Sequence, residues 1–193
     1  LFIDLHSAGF DDDIPMMIGY PHRDDEFGKR ALAAARAFGA PVLWGHPPPV
    51  TAGRSVSSAD DFGIPWLYTE TPGGNRSTKE DRNCYFQGVL NVMKHLGMLG
   101  GELRQRPMTH HLLGDGNLDT VPSAQEAGFF RPNVEPLDEV RASQRLGTIR
   151  DFFGNVLVEV VAERDGVVIL MRRTPRVRVG DSLLQITGLL EKR

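Results

Sequence analysis

Short apolar runs alternate with helix-like segments through the first half of the chain. LFIDL at the start, PVLWG from Pro41 and GIPWLYTE from Gly63 have the length and residue types of strands. Between the first two, apolar residues repeat at helical spacing from Phe27 to Phe38, and Gly39 follows as a stop signal. Strands separated by helices predict an α/β fold with a mostly parallel sheet. We interpret the segment SAGFDDDIPMMIGYPH, which follows His6, as a loop.

A second helix is predicted after the third strand. Ser77 followed by Glu80 resembles a capping box, in which two side chains satisfy the first free amides of a helix. Apolar residues then recur at helical spacing as far as Leu96, and Gly97 marks the end. Both His6 and Glu70 therefore fall at the carboxyl ends of predicted strands, where α/β proteins place their reactive groups.

The character of the chain changes after Gly97. The next stretch is rich in glycine and polar residues, and from about Leu118 onward only short β-type runs follow. VRASQRLGTI from Val140 and VRVGDSLLQI from Val177 match in register, which indicates an internal repeat. We therefore predict two domains, residues 1–116 with the α/β pattern and residues 117–193 as a compact β sandwich or barrel.

Composition excludes several classes of function. A net charge of −3 gives no electrostatic reason to expect nucleic acid or an anionic membrane as a partner. No apolar run approaches the length of a membrane span, and one cysteine excludes an intrachain disulfide, so we expect a cytoplasmic protein. The chain begins inside a strand without methionine, so we expect a fragment. None of these features predicts an oligomeric state.

Three motifs together resemble a known family. DLHSAG near the start, PWLYTETPGG some sixty residues later, and the final β segment with DGVV and GDSLLQI are similar to the succinylglutamate desuccinylase and aspartoacylase family. That family belongs with the zinc carboxypeptidases. The resemblance covers nearly the whole chain but corresponds to the carboxyl-terminal part of a complete member. It implies a zinc-carboxypeptidase-like sheet and hydrolysis of the amide bond of a small N-acyl amino acid.

The resemblance assigns roles to two residues. His6 matches a zinc ligand, and Glu70 matches the carboxylate that takes a proton from zinc-bound water as it attacks the amide. The family's other ligands, a histidine followed three residues later by a glutamate, lie upstream of DLH and do not occur in this sequence. We therefore expect these residues alone to bind zinc poorly and to be catalytically incomplete.

Other polar residues have two interpretations each. Arg54 precedes Glu70 by a stretch of small polar residues, and its guanidinium suits a substrate carboxylate, although a surface arginine is the alternative. We interpret His110 and His111 as loop residues, since adjacent side chains seldom face one site. The run of aspartates 11–13 is interpreted as a solvated turn, and neither these residues nor the nearby His22 is assigned as a metal ligand.

The lysine content of the sequence tests whether the β segment could be a carrier domain. The β segment also resembles biotinyl and lipoyl carrier domains, which need a lysine on a hairpin to hold the prosthetic group. No lysine occurs between Lys94 and Lys192, so a carrier function is excluded. The remaining alternative to an enzyme is a non-catalytic relative that serves as a binding or interaction module.

Overall fold

The computed structural model describes residues 1–117 and 121–192. These ranges contain three helices and thirteen strands. The helices are α1 (Glu26–Phe38), α2 (Ser55–Asp61) and α3 (Lys79–His95). The strands are β1 (Phe2–Leu5), β2 (Asp12–Asp13), β3 (Met17–Pro21), β4 (Val42–His46), β5 (Trp66–Glu70), β6 (His110–Leu113), β7 (Gly128–Pro132), β8 (Glu139–Val140), β9 (Arg145–Arg150), β10 (Val156–Val161), β11 (Gly166–Arg172), β12 (Arg176–Val177) and β13 (Leu184–Lys192).

Nine strands form one mixed sheet. Its order is β1-β5-β3-β4-β6-β13-β11-β2, with β8 also paired to β11. Among the first five strands of that order, three of the four pairings are parallel, and only β3 with β5 is antiparallel. The predicted α/β class is confirmed, and the sheet of the first half is mostly parallel.

The two faces of this sheet have different coverings. The helices α1 and α3 cover one face, where Ile18, Leu43 and Leu67 pack against the alanines of α1 and against Phe38. Because side chains alternate along a strand, Asp4, Tyr68 and Glu70 share the opposite face. The polar candidates therefore lie on the face that α1 and α3 leave free.

Both long helices begin and end with recognisable signals. The side chain of Asp25 accepts a hydrogen bond from the Gly28 amide at the start of α1, and Gly39 ends that helix in the left-handed conformation with φ of 82°. The capping box of α3 is present but lies one residue later than predicted, formed by Thr78 and Asp81 instead of Ser77 and Glu80.

Three local predictions were wrong. The segment interpreted as a loop after His6 contains β3, a fully buried strand inside the sheet. Its aspartates are not a free turn, because Asp12 and Asp13 pair with β11. His110 and His111 lie in β6, a strand buried between β4 and β13, and not in a loop.

The internal repeat is visible in the structure. Each copy is a two-residue strand, a tight turn and a longer strand, namely β8 to β9 and β12 to β13. Ser143 and Gly180 occupy equivalent positions in the two turns, with φ of 67° and 90°. Both turns are closed by a side chain that accepts from a backbone amide, Gln144 from Arg141 and Asp181 from Arg178.

The second sheet is antiparallel, with the order β10-β9-β7-β12. Its apolar residues meet those of β11 and β13 in one core, as expected for two packed sheets. Val167 and Ile169 of β11 also pack with Met17, Trp44 and Leu112, so a shared core joins the two halves of the chain.

The domain boundary at residue 117 stays a prediction, and the predicted start of the β segment at Leu118 lies outside the described residues. The pairing of β13 with β6, and of β11 with β2, carries the large sheet across that position. We call residues 1–117 the α/β half and residues 121–192 the β half. In these two ranges, no helix is long and apolar enough to cross a membrane.

Candidate active site

His6 and Glu70 lie side by side at one edge of the large sheet. Strands β1 and β5 are parallel neighbours, and the His6 amide extends their ladder by donating to the Thr69 carbonyl over 3.1 Å. His6 Nδ1 is 3.7 Å from Glu70 Oε1. The structure thus brings these two residues together at neighbouring strand ends, as the sequence predicted. Their assigned roles stay predictions.

Glu70 is held in an environment that disfavours its charge. Burial, together with the neighbouring carboxylate of Asp4, raises the pKa of Glu70 to about 8. Glu70 Oε2 is buried and has no hydrogen-bond partner within the described part of the chain. A carboxyl group with this pKa can both accept and release a proton near neutral pH.

Asp4 completes the polar edge beside His6. Its carboxylate lies 3.5 Å from His6 Nε2 and accepts a hydrogen bond from the Ser55 hydroxyl at the start of α2. The His6 side chain is 57% exposed, whereas its backbone carbonyl accepts a hydrogen bond from the Tyr85 hydroxyl of α3. The backbone is therefore fixed, while the imidazole faces the solvent.

A cleft of about 360 Å³ lies over these groups, lined by Asp4, His6, Arg54, Ser55, Val56, Tyr68 and Glu70. Arg54 is thus placed in the same cleft as His6 and Glu70. It directly precedes α2, a helix in the segment that the sequence suggested was only small and polar. The Ser57 hydroxyl accepts from the Arg54 amide over 3.0 Å, and Arg54 Nη1 donates to the Gly116 carbonyl over 3.2 Å. Arg54 is therefore anchored rather than a free surface side chain.

Two further residues of this region were missed. Tyr68 lies on the same face as Glu70, and its hydroxyl hydrogen-bonds to His46 Nε2 at 2.8 Å. His46 Nδ1 in turn hydrogen-bonds to the Gly114 carbonyl at 2.7 Å. Burial lowers the pKa of His46 to about 4, so the ring is neutral at physiological pH. The strand period of two was the available signal, since it places Tyr68 beside Glu70.

The cleft has features that suit a cation. The ion pairs of Asp4 and Glu70 within the described ranges both involve His6, and the buried Glu70 Oε2 lacks a partner. An imidazole next to carboxylates is the type of donor set that zinc prefers. However, residues 1–117 and 121–192 contain no group of three histidine, cysteine, aspartate or glutamate side chains that could hold a metal ion. His6 is therefore one suitable donor rather than a complete site.

Comparison with known proteins identifies relatives over nearly the full chain. The N-alpha-acetyl-L-2,4-diaminobutyric acid deacetylase of Halomonas elongata is 29% identical over 192 residues, which are 98% of this chain and 56% of the relative. A succinylglutamate desuccinylase/aspartoacylase structure from Rhodobacter sphaeroides is 30% identical with a TM-score of 0.82, over 98% of this chain and 58% of that one. No family model matches the sequence.

The predicted resemblance to the succinylglutamate desuccinylase and aspartoacylase family is confirmed. The fold of the family is also found in a succinylglutamate desuccinylase from a Silicibacter species, with a TM-score of 0.86 and 24% identity over 97% of this chain and 57% of that one. The chain thus spans a little over half the length of these desuccinylase and aspartoacylase relatives.

Proposed function

We propose that this chain forms part of a zinc-dependent hydrolase that cleaves the amide bond of a small N-acyl amino acid. The observation that carries the proposal is the meeting of His6, Glu70 and Arg54 in one cleft. These residues are far apart in sequence, yet each has a chemical property that amide hydrolysis needs. The names of the relatives support the same class, since they include a deacetylase and desuccinylases.

Glu70 acts as the proton carrier in this proposal. Its raised pKa keeps the carboxyl group close to the point of half ionisation near neutral pH, where a general acid–base group works best. Ionised Glu70 accepts the proton of the attacking water, and the protonated group then delivers it to the leaving amine. Burial of Oε2 keeps bulk water from competing for that proton.

Arg54 holds the carboxylate of the substrate. Its Nη1 is committed to the Gly116 carbonyl, which fixes the plane of the guanidinium and leaves other N–H groups for a ligand. Planar guanidinium groups bind carboxylates with two parallel hydrogen bonds. Arg54 and Glu70 line the same cleft, so a bound amino acid extends from the guanidinium toward the proton carrier.

His6 would be the zinc ligand that this chain supplies. Its imidazole is exposed to the cleft, and the carboxylates of Asp4 and Glu70 lie within 4 Å of its ring nitrogens. Bound zinc would lower the pKa of a coordinated water toward neutrality. The chain's own contribution is to hold His6 and the proton carrier Glu70 next to each other.

Hydrolysis by the full-length, zinc-loaded protein tests this proposal directly. We expect release of free amine from N-alpha-acetyl-L-2,4-diaminobutyrate or from N-succinyl-L-glutamate, and loss of that release after chelation. The two substrates separate a deacetylase from a desuccinylase. A folded, zinc-loaded protein that releases amine from neither of them, nor from other N-acyl amino acids, would instead support the binding-module alternative.

A further inference from the structure

The cleft continues past Tyr68 into a small recess. This recess, of about 30 Å³, is lined by residues that include His46, Arg54, Val56 and Tyr68. Arg54, Val56 and Tyr68 border both the cleft and the recess. The phenol ring of Tyr68 therefore stands at the junction, beside the guanidinium that we assign to the substrate carboxylate.

The hydrogen-bond chain behind Tyr68 has one direction. The Gly114 carbonyl is an acceptor only, so His46 Nδ1 must carry the proton and donate to it. Neutral His46 then has an unprotonated Nε2, which accepts from the Tyr68 hydroxyl. The phenol proton is thus committed to His46, and the lone pairs of the Tyr68 oxygen are left to accept a hydrogen bond.

The packing around Tyr68 fixes this orientation. The ring lies across the Gly19 backbone, where an added Cβ would be 2.0 Å from Tyr68 Cε1. On the other side, the His46 ring contacts Trp44 with ring centroids 4.6 Å apart, and His46 is 4% exposed. Tyr68 thus packs against Gly19 and His46, with the two ring centroids of Tyr68 and His46 5.4 Å apart, and these contacts hold its hydroxyl on His46 Nε2.

We propose that Tyr68 is a substrate-binding residue whose oxygen accepts the N–H of the substrate amide, and that His46 is the positioning residue that fixes Tyr68 as an acceptor. The inference rests on the proposed function and narrows its substrate class to N-acyl amino acids, in which an amide N–H and a carboxylate share one carbon. Arg54 binds the carboxylate and Tyr68 binds the neighbouring N–H. An ester of the matching 2-hydroxy acid lacks the N–H and makes no such contact.

The test compares these two substrates in variants of the full-length, zinc-loaded protein. Tyr68→Phe keeps the ring over Gly19 but removes the oxygen. We expect it to lower kcat/KM for the N-acetyl amino acid roughly five- to tenfold, the effect of one hydrogen bond, and to change kcat/KM for the O-acetyl hydroxy acid less than about twofold. Equal losses for both substrates, or no loss for the amide, would overturn the proposal.

Variants of His46 separate positioning from structure. His46→Asn keeps a donor for Gly114 but loses the acceptor for Tyr68, so we expect the same amide-selective loss. His46→Gln places a carbonyl near the position of Nε2 and should restore most of the amide rate. Combined with Tyr68→Phe, His46→Asn should cause no further loss, because it acts through the tyrosine. Additive losses would show that His46 acts independently of Tyr68.

Binding measurements keep the inference separate from the proposed function. A wild-type protein that hydrolyses neither substrate would refute the hydrolase. The dissociation constants of the amide and ester from the metal-free protein would then decide the role of Tyr68. We expect Tyr68→Phe to weaken amide binding alone by the same factor. Absence of amide binding to the wild-type protein, or equal weakening for both ligands, would overturn the inference.

Discussion

The cleft of the α/β half and the repeat turns of the β half treat their polar groups in opposite ways. In the cleft, Glu70 is largely buried beside a second carboxylate, and its Oε2 has no hydrogen-bond partner among residues 1–117 and 121–192. In the repeat turns, Gln144 and Asp181 each close a turn by accepting from a backbone amide. The turns are satisfied by the chain itself, whereas the cleft contains groups that a ligand or cation would satisfy.

The cleft is therefore the region in which functional groups reduce the stability of the fold. A buried carboxyl group without a partner destabilises the folded state, and it persists only where the surrounding structure holds it. In the β half, local turn chemistry and apolar packing point to the same structure. Substitutions in the cleft should therefore mainly reduce activity, whereas substitutions in the turns should mainly change stability.

The largest effect is expected at Glu70. Glu70→Gln keeps the size of the side chain but removes the proton carrier, so turnover by the full-length enzyme should fall at least about a hundredfold. Zinc content, measured by metal analysis, should be unchanged. Glu26→Gln makes the same chemical change on the exposed surface of α1 and serves as the control. Near-normal turnover of Glu70→Gln with zinc bound would show that Glu70 is scaffold.

Substitution of His6 should reduce activity by a different route, through loss of zinc. His6→Ala removes the proposed zinc ligand, so metal affinity should fall by at least about tenfold, and activity should be lost as a consequence. Equilibrium dialysis against zinc measures the first effect, and turnover at saturating zinc measures the second. Unchanged zinc affinity would contradict the ligand assignment and leave His6 as a neighbour of Glu70.

Gly19 connects the cleft to the stability of the sheet. A side chain at this position meets the Tyr68 ring at 2.0 Å, so Gly19→Ala must displace Tyr68 or the strand. We expect a loss of about 1–3 kcal/mol in the free energy of unfolding by denaturant titration, typical of an overpacked core. Gly100→Ala is the control, because an added Cβ there meets no described residue within 4 Å. Equal stability of both variants would show that Tyr68 can move.

Local patterns in the sequence predicted the strands that carry His6 and Glu70. Each is a short apolar run that ends in a polar residue, and the structure places the two runs side by side. The internal repeat was also visible, because its turns depend on residues close in sequence. Features set by local chemistry could therefore be predicted.

The missed elements depend on distant parts of the chain. Strand β3 is buried on both faces, so it has no alternation of polar and apolar residues to reveal it. His110 and His111 become a strand because β4 and β13 pair with them from either side. The seven-residue helix α2 is too short for a clear period. The recess was missed for a similar reason, since Gly114 reaches His46 from 68 residues away.

The pH dependence of stability should show the unusual state of Glu70. Its pKa in the folded protein is raised to about 8, above the ordinary value of 4.5, so the folded state holds a proton that the unfolded state releases. The free energy of unfolding should therefore fall as pH rises between these two values, by at most about 1.4 kcal/mol per pH unit. Glu70→Gln should remove this slope in the metal-free protein.

Denaturant titrations at pH 5, 6, 7 and 8 measure that slope as the difference between wild-type protein and Glu70→Gln. Taking the difference cancels the contributions of other titrating groups, such as His46. Because the pKa of His46 is lowered in the folded protein, its contribution to the free energy of unfolding falls as pH drops below the ordinary value of 6.5. The variant should gain on the wild type as pH rises. A difference that is constant over this range would mean that Glu70 titrates normally.

The smallest effect is expected in the repeat turns. Ser143 and Gly180 occupy the same left-handed position, and both donate their amides to a carbonyl, of Ala162 and Ala124 respectively. The left-handed conformation is unfavourable for a residue with a Cβ and free for glycine. Ser143→Gly should therefore stabilise the protein by up to about 1 kcal/mol, after the larger entropy of the unfolded glycine is subtracted.

Gly180→Ser is the reciprocal variant and should destabilise the protein by a similar amount. The left-handed conformation is the cause of this loss, since an added Cβ at Gly180 meets no described residue within 4 Å and so causes no clash. Thermal unfolding of both variants measures the pair, and neither should alter turnover, since both lie outside the cleft. Shifts of the same sign in the two variants would show that the turns are not energetically equivalent, although their sequences match.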